Sequence, residues 1–262
     1  MTSYERRGSG DPIVLVHGLG SRWEAYEPVL DRLAVSHQVI AVDLPGFGST
    51  PLDDRYPAGA VGYASWLTDR LVELDIKEPH VVGNSMGGGI ALELGRTGVA
   101  SRVTAFSPIG FWRVPGRIWT QSALTTLRVV GTGLSPWLGR VAAVPPLKAA
   151  LLGAAMSRPS NVSTADAVHH ARGLVDGEGF PAARDSFRRY TLSEGDDLGS
   201  LTDIPVTIAW GTRDFLLPHR TQSARARQLM PFARHVDLAG LGHTPFSDDP
   251  ELCARVILGE TP

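Results

Sequence analysis

Six short apolar runs spaced by helix-length stretches constrain this chain more than any other feature. They are residues 12–16, 38–42, 80–83, 102–106, 205–210 and 234–238. The first five are near-continuous runs rather than alternating ones, which fits strands covered on both faces. Residues 26–34, 61–75, 86–95, 221–229 and 250–258 read as helices between or after them, with Pro250 suited to a first helical position. The alternation predicts an α/β fold, a mostly parallel central sheet flanked by helices. Residues 111–200 break the rhythm. They hold no clear strand, and Pro115, Pro136, Pro145, Pro146 and Pro159 divide them into helix-length pieces. A structureless loop of that length is implausible, so an inserted helical cap is expected at 111–200, between core segments 1–110 and 201–262.

Composition narrows the function classes. The 262 residues are 43% apolar, enough to bury a large core. The 25 basic and 27 acidic side chains leave a net charge of −2, which gives no electrostatic case for nucleic-acid binding. Cys253, the single cysteine, has no internal disulfide partner, which suits a reducing compartment. Residues 1–11 lack the apolar stretch of a signal peptide, and no apolar run approaches a membrane span. The expectation is a cytoplasmic protein without an integral membrane segment. Lysine occurs only at Lys77 and Lys148, an arginine bias that suggests a GC-rich bacterial genome.

The strongest chemical signal is Gly83-Asn84-Ser85-Met86-Gly87, a G-x-S-x-G sequence after an apolar strand and before a helical run. In that setting it predicts a nucleophile elbow, a sharp turn that presents the Ser85 hydroxyl with a helix N-terminus beneath it. A serine hydroxyl needs a base. His243, in Leu241-Gly242-His243-Thr244, follows the last strand and is the candidate. The base needs a carboxylate to fix its tautomer. Asp214 lies just past the fifth main strand; Asp248 and Asp249 are nearer in sequence but are expected to cap the final helix. Donors for a developing oxyanion are expected from the N–H of Met86, after the nucleophile, and of Leu19 in His17-Gly18-Leu19-Gly20. Neither phosphate-loop nor dinucleotide glycine motif occurs, and His169-His170 lacks acidic or cysteine ligands at useful spacing. No cofactor or metal is expected.

Together these segments, with Asp43-Leu44-Pro45-Gly46-Phe47-Gly48-Ser49, occur in an order that resembles the α/β-hydrolase superfamily over residues 12–258. The resemblance implies a Ser85–His243–Asp214 triad, a helical cap over the site and hydrolysis through an acyl-enzyme. Such chains commonly carry two strands before the one ending at His17. Here only residues 1–11 precede it, so one short strand at 3–7 is expected. Serine at position 85 disfavours the dehalogenases and epoxide hydrolases of the superfamily, which use aspartate there.

The preferred reading is a serine esterase acting on a small apolar ester, with thioester and lactone cleavage open. The alternative is a C–C bond hydrolase of vinylogous diketones. That group adds a cap arginine, which Arg172 resembles, and a tryptophan after the histidine, where this chain has Thr244. A third reading is a non-catalytic ligand-binding protein. Phe111, Trp112, Trp119 and Trp137 suggest an apolar pocket roof, with Arg172 as a further substrate contact. From Leu94 to Ala165 there are eight basic residues and no acid, which suits either a solvated rim or attraction to an anionic substrate or membrane surface. The oligomeric state stays open.

Overall fold

The computed structural model describes residues 2–260. A seven-stranded sheet forms its centre, in the order β1-β3-β2-β4-β5-β6-β7. The strands are β1 (Tyr4–Arg7), β2 (Pro12–Val16), β3 (Gln38–Val42), β4 (His80–Asn84), β5 (Arg102–Phe106), β6 (Val206–Gly211) and β7 (Arg234–Leu238). β1 pairs antiparallel with β3, Tyr4 opposite Val42, and every other pairing is parallel. The six apolar runs therefore became β2–β7, and the short leading strand is β1. The α/β architecture and the parallel sheet follow the sequence expectation.

Helices cover both faces. α1 (Glu27–Ala34) and α10 (Pro250–Leu258) lie on one side. Their Leu30, Leu33, Val256 and Ile257 share an apolar cluster with Ile13, Leu15 and Val39 of the sheet. α2 (Ala60–Glu73), α3 (Met86–Arg96) and α9 (His219–Leu229) contribute to a larger cluster with Val14, Val16 and Val81. Successive strand residues thus enter opposite cores, the reason these runs are uninterrupted.

Residues between β5 and β6 contain α4 (Val114–Leu134), α5 (Leu138–Ala143), α6 (Pro145–Leu152), α7 (Thr164–Asp176) and α8 (Phe180–Ser186). Pro115, Pro136, Pro145 and Pro159 each stand in the first turn of a helix or 3-10 turn, where the missing N–H costs no hydrogen bond. The prolines thus start these pieces as well as separate them.

Candidate active site

Ser85 occupies the turn between β4 and α3 with φ 58° and ψ −116°, a strained conformation for a residue with a side chain. The turn is locked from three directions. Ser85 N–H donates to Phe106 O at 2.9 Å, and Ser85 O accepts from Gly89 and Ile109 at 3.1 Å each. The flanking glycines are needed for close approach. A Cβ on Gly83 would stand 2.0 Å from Gly87 O, and one on Gly87 would stand 1.9 Å from Val16 O. These are backbone contacts that no side-chain rotation relieves.

Two loops at the same end of the sheet bring in the other groups. Asp214 follows β6, and His243 follows β7. His243 Nδ1 lies 2.7 Å from Asp214 Oδ2, and both side chains are buried. Asp214 Oδ1 accepts from Leu217 N–H at 2.8 Å, which fixes the carboxylate plane. With the carboxylate as acceptor, the imidazole proton sits on Nδ1 and Nε2 is left free. No hydrogen bond joins Ser85 Oγ to His243 among the described residues, but both line one cavity. Such contacts commonly tighten only when substrate is bound.

Residues outside the expected set hold these loops in register. Asn84 Nδ2 donates to His243 O at 2.9 Å and to Phe106 O at 3.1 Å, tying the serine turn to the histidine loop. His17 Nδ1 donates to Gly18 O at 2.8 Å, while its Nε2 accepts from Leu44 N–H at 3.0 Å. That pair of bonds requires neutral imidazole, and burial lowers its pKa in the same sense. His17 thereby braces the loop carrying Leu19. The Asp43–Ser49 segment is structural: the Asp43 carboxylate accepts from Trp23 N–H at 2.9 Å and Ser49 N–H at 3.0 Å.

The N–H of Leu19 makes no backbone hydrogen bond among the described residues, and the N–H of Met86 falls in the first turn of α3, where a helix supplies no acceptor of its own. Leu19 lines the cavity, and Met86 N–H lies at the first position of α3.

Asp248 corrects an expectation. Asp249 does cap α10, its side chain accepting from Leu252 N–H. Asp248 instead turns inward, 1% exposed. Its Oδ2 accepts from Gly242 N–H at 2.9 Å, Ser157 N–H at 3.0 Å and Ser157 Oγ at 2.9 Å, and its Oδ1 accepts from Arg158 N–H at 2.7 Å. Thr244 N–H donates to Ala155 O at 2.8 Å. Residues 155–158 of the helical segment are thereby fastened to the histidine loop on either side of His243.

The cavity beside Ser85 has a volume of about 400 Å³. Its wall is chiefly aliphatic, from Leu124, Leu134, Leu151 and Leu174 of the helical segment and Leu216 of the Asp214 loop, and it contains no lysine, arginine, aspartate or glutamate. His170 on α7 is its one imidazole besides His243; burial pulls the His170 pKa down to about 4, so it is neutral at pH 7.

The four substrate-contact candidates lie elsewhere. Phe111 is fully buried, edge-on to Trp210, and Trp112 packs on Phe187 while its Nε1 donates to Tyr190 O at 3.0 Å. They anchor the start of the helical segment to the core. Trp137 is 52% exposed, and Arg172 pairs with Asp176 on the outer part of α7. None of the four lines the cavity. The wall is made by leucines, whose helical spacing in the sequence looks no different from ordinary core.

A family model described as "Alpha/beta hydrolase family" matches residues 13–256. The chain belongs to the alpha/beta hydrolase family. An uncharacterized protein of Mycobacterium tuberculosis is 28% identical over 257 residues, spanning 93% of this alpha/beta hydrolase and 73% of that protein. A pimeloyl-[acyl-carrier protein] methyl ester esterase of Aeromonas hydrophila is 38% identical over 93 residues, 35% of each chain. Among solved structures, a meta-cleavage product hydrolase from Pseudomonas fluorescens superposes with a TM-score of 0.71 at 22% identity, covering 98% of this chain and 93% of that one.

Proposed function

We propose that this alpha/beta hydrolase is a serine esterase that cleaves carboxylic esters with an aliphatic acyl group, the helical segment 111–200 acting as the cap over its site. The observation that carries the reading is the buried His243–Asp214 pair beside a strained, cavity-facing Ser85. In this scheme His243 Nε2 takes the Ser85 proton as Oγ attacks the acyl carbon. The N–H groups of Leu19 and Met86 hold the oxyanion of the tetrahedral intermediate. Collapse expels the alkoxide, which takes the proton from His243 and leaves as the alcohol. A water then gives its proton to His243 and attacks the ester carbonyl of the acyl-Ser85 species. A second collapse releases the acid and restores the Ser85 hydroxyl.

The cavity supports an apolar acyl chain: its wall is aliphatic and uncharged, so a carboxylate or ammonium inside it has no counter-ion. Partial likeness to a methyl ester esterase agrees with ester chemistry. The C–C hydrolase alternative loses its cap arginine, because Arg172 pairs with Asp176 away from the cavity. A panel of p-nitrophenyl esters of graded acyl length, run beside a vinylogous diketone, tests the proposal. Hydrolysis of the esters with a preference for medium aliphatic chains is expected. Turnover of the diketone with no ester hydrolysis would replace it with the C–C reading.

A further inference from the structure

Exposed large apolar side chains are unevenly spread over this molecule. Val114, Ile118, Trp119, Val129, Val130, Trp137, Val144 and Leu147 are all more than 40% exposed and fall within 34 consecutive residues of the helical segment. A contiguous exposed apolar patch on a folded protein marks an interaction surface. Five of these, Val129, Val130, Trp137, Val144 and Leu147, run from the C-terminal half of α4 through the following turn to the start of α6.

Two further observations identify the occupant. The first is charge. Arg113, Arg117, Arg140 and Lys148 belong to the same stretch and pair with no carboxylate among the described residues, whereas Arg128 turns inward to the Leu174 and Gly177 carbonyls and Arg158 faces Asp248 and Asp249; the stretch has no aspartate or glutamate from Leu94 to Ala165. The Arg140 guanidinium lies 5.0 Å over the Trp137 ring and pairs with no carboxylate among the described residues. The exposed Asp176 on neighbouring α7 is paired with Arg172. A second copy of the chain docked on this face would bring like charges together. An anionic lipid surface meets both demands, apolar insertion and positive charge.

The second observation is position. Val130 and Leu147 belong to the exposed patch and also line the cavity that contains Ser85. The cavity wall is continuous with the patch at these two residues.

We propose that the α4–α6 face docks on an anionic lipid surface, with Trp137 and the neighbouring valines inserted at the headgroup level and the mouth of the cavity turned toward the lipid. Docking needs no assumption about chemistry; delivery of lipid-borne esters to Ser85 through that mouth rests on the esterase reading.

Flotation with vesicles tests docking without an activity readout. The full chain is mixed with vesicles of phosphatidylcholine alone or with 30% phosphatidylglycerol, at low and at 1 M salt. Binding to the anionic vesicles, weaker on the neutral ones and reduced by salt, is expected. Arg140→Glu should lower anionic-vesicle binding by roughly 30-fold, from the loss of one cation and gain of one anion near the surface. Val129→Ser combined with Trp137→Ser should lower binding to both vesicle types. Neither variant touches the proposed reacting groups, so hydrolysis of a short water-soluble ester by each should equal that of the parent. Absence of vesicle binding by the parent overturns the proposal, as does a concentration-dependent dimer that Trp137→Ser abolishes. A parent that binds vesicles yet hydrolyses no ester leaves docking standing and sinks the esterase reading alone.

Discussion

Asp248→Ala is the most informative single perturbation outside the reacting groups. The carboxylate is the acceptor for three backbone N–H groups, those of Gly242, Ser157 and Arg158, at 2.7–3.0 Å. Removing it strands the Gly242 N–H in a buried position, at a cost of ~1–3 kcal/mol. Ser157 and Arg158 are more exposed, so water partly replaces their acceptor and each contributes ~1 kcal/mol. The total is ~3–5 kcal/mol, which for a chain of this size is a drop in Tm of roughly 6–20 °C. The functional effect is expected to be large as well, because Gly242 precedes His243. A displacement of the imidazole by about 1 Å is sufficient to lower kcat by about 100-fold. Calorimetry and ester kinetics on the purified variant supply both numbers. Arg158→Ala is the control, since it removes the guanidinium but leaves the backbone bond to Asp248. A Tm within 2 °C of the parent together with kcat/KM within twofold would refute the bracing role of Asp248.

Other outcomes follow from the same geometry. Ser85→Ala should reduce ester hydrolysis by about 10⁴-fold or more while leaving Tm nearly unchanged, measured by p-nitrophenol release and calorimetry. Leu174→Trp, on the cavity wall, should shift the acyl preference toward shorter chains by roughly 10-fold in relative kcat/KM, read from the graded ester panel. His170 should titrate by NMR with a midpoint about 4, because burial lowers its pKa. Below the unfolded pKa of about 6.5 the unfolded chain binds a proton that folded His170 refuses, so this residue makes stability fall as pH drops from about 6.5 to 4. His170→Leu should flatten that part of the urea midpoint-versus-pH curve.

The sheet was legible in the sequence because most residues of β2–β6 are buried on one of two covered faces, which leaves nearly uninterrupted apolar runs. The serine turn was legible because its glycines answer to backbone contacts that exclude any side chain. His243 and Asp214 were reachable by their places after the last two strands. The role of Asp248 is hidden in the sequence, because a carboxylate two residues before Pro250 satisfies the pattern of a helix cap, and only tertiary structure brings in the donors from residues 157 and 158. The aromatic residues misled for a related reason. Phe111 and Trp112 lie where the chain leaves the sheet, so they anchor the segment to the core, whereas the cavity wall came from leucines that carry no distinguishing sequence signal. The bracing role of Asn84 carries no sequence signal, because its partner, the His243 carbonyl, lies 159 residues away.

Labelling with a fluorophosphonate tests the central claim most directly, because the reagent phosphonylates only a serine that a neighbouring base activates. Intact mass and peptide mapping should find one adduct per chain, on Ser85. It should be absent in Ser85→Ala and should form far more slowly in His243→Ala. An unlabelled parent chain, or an adduct that persists in Ser85→Ala, would contradict the account.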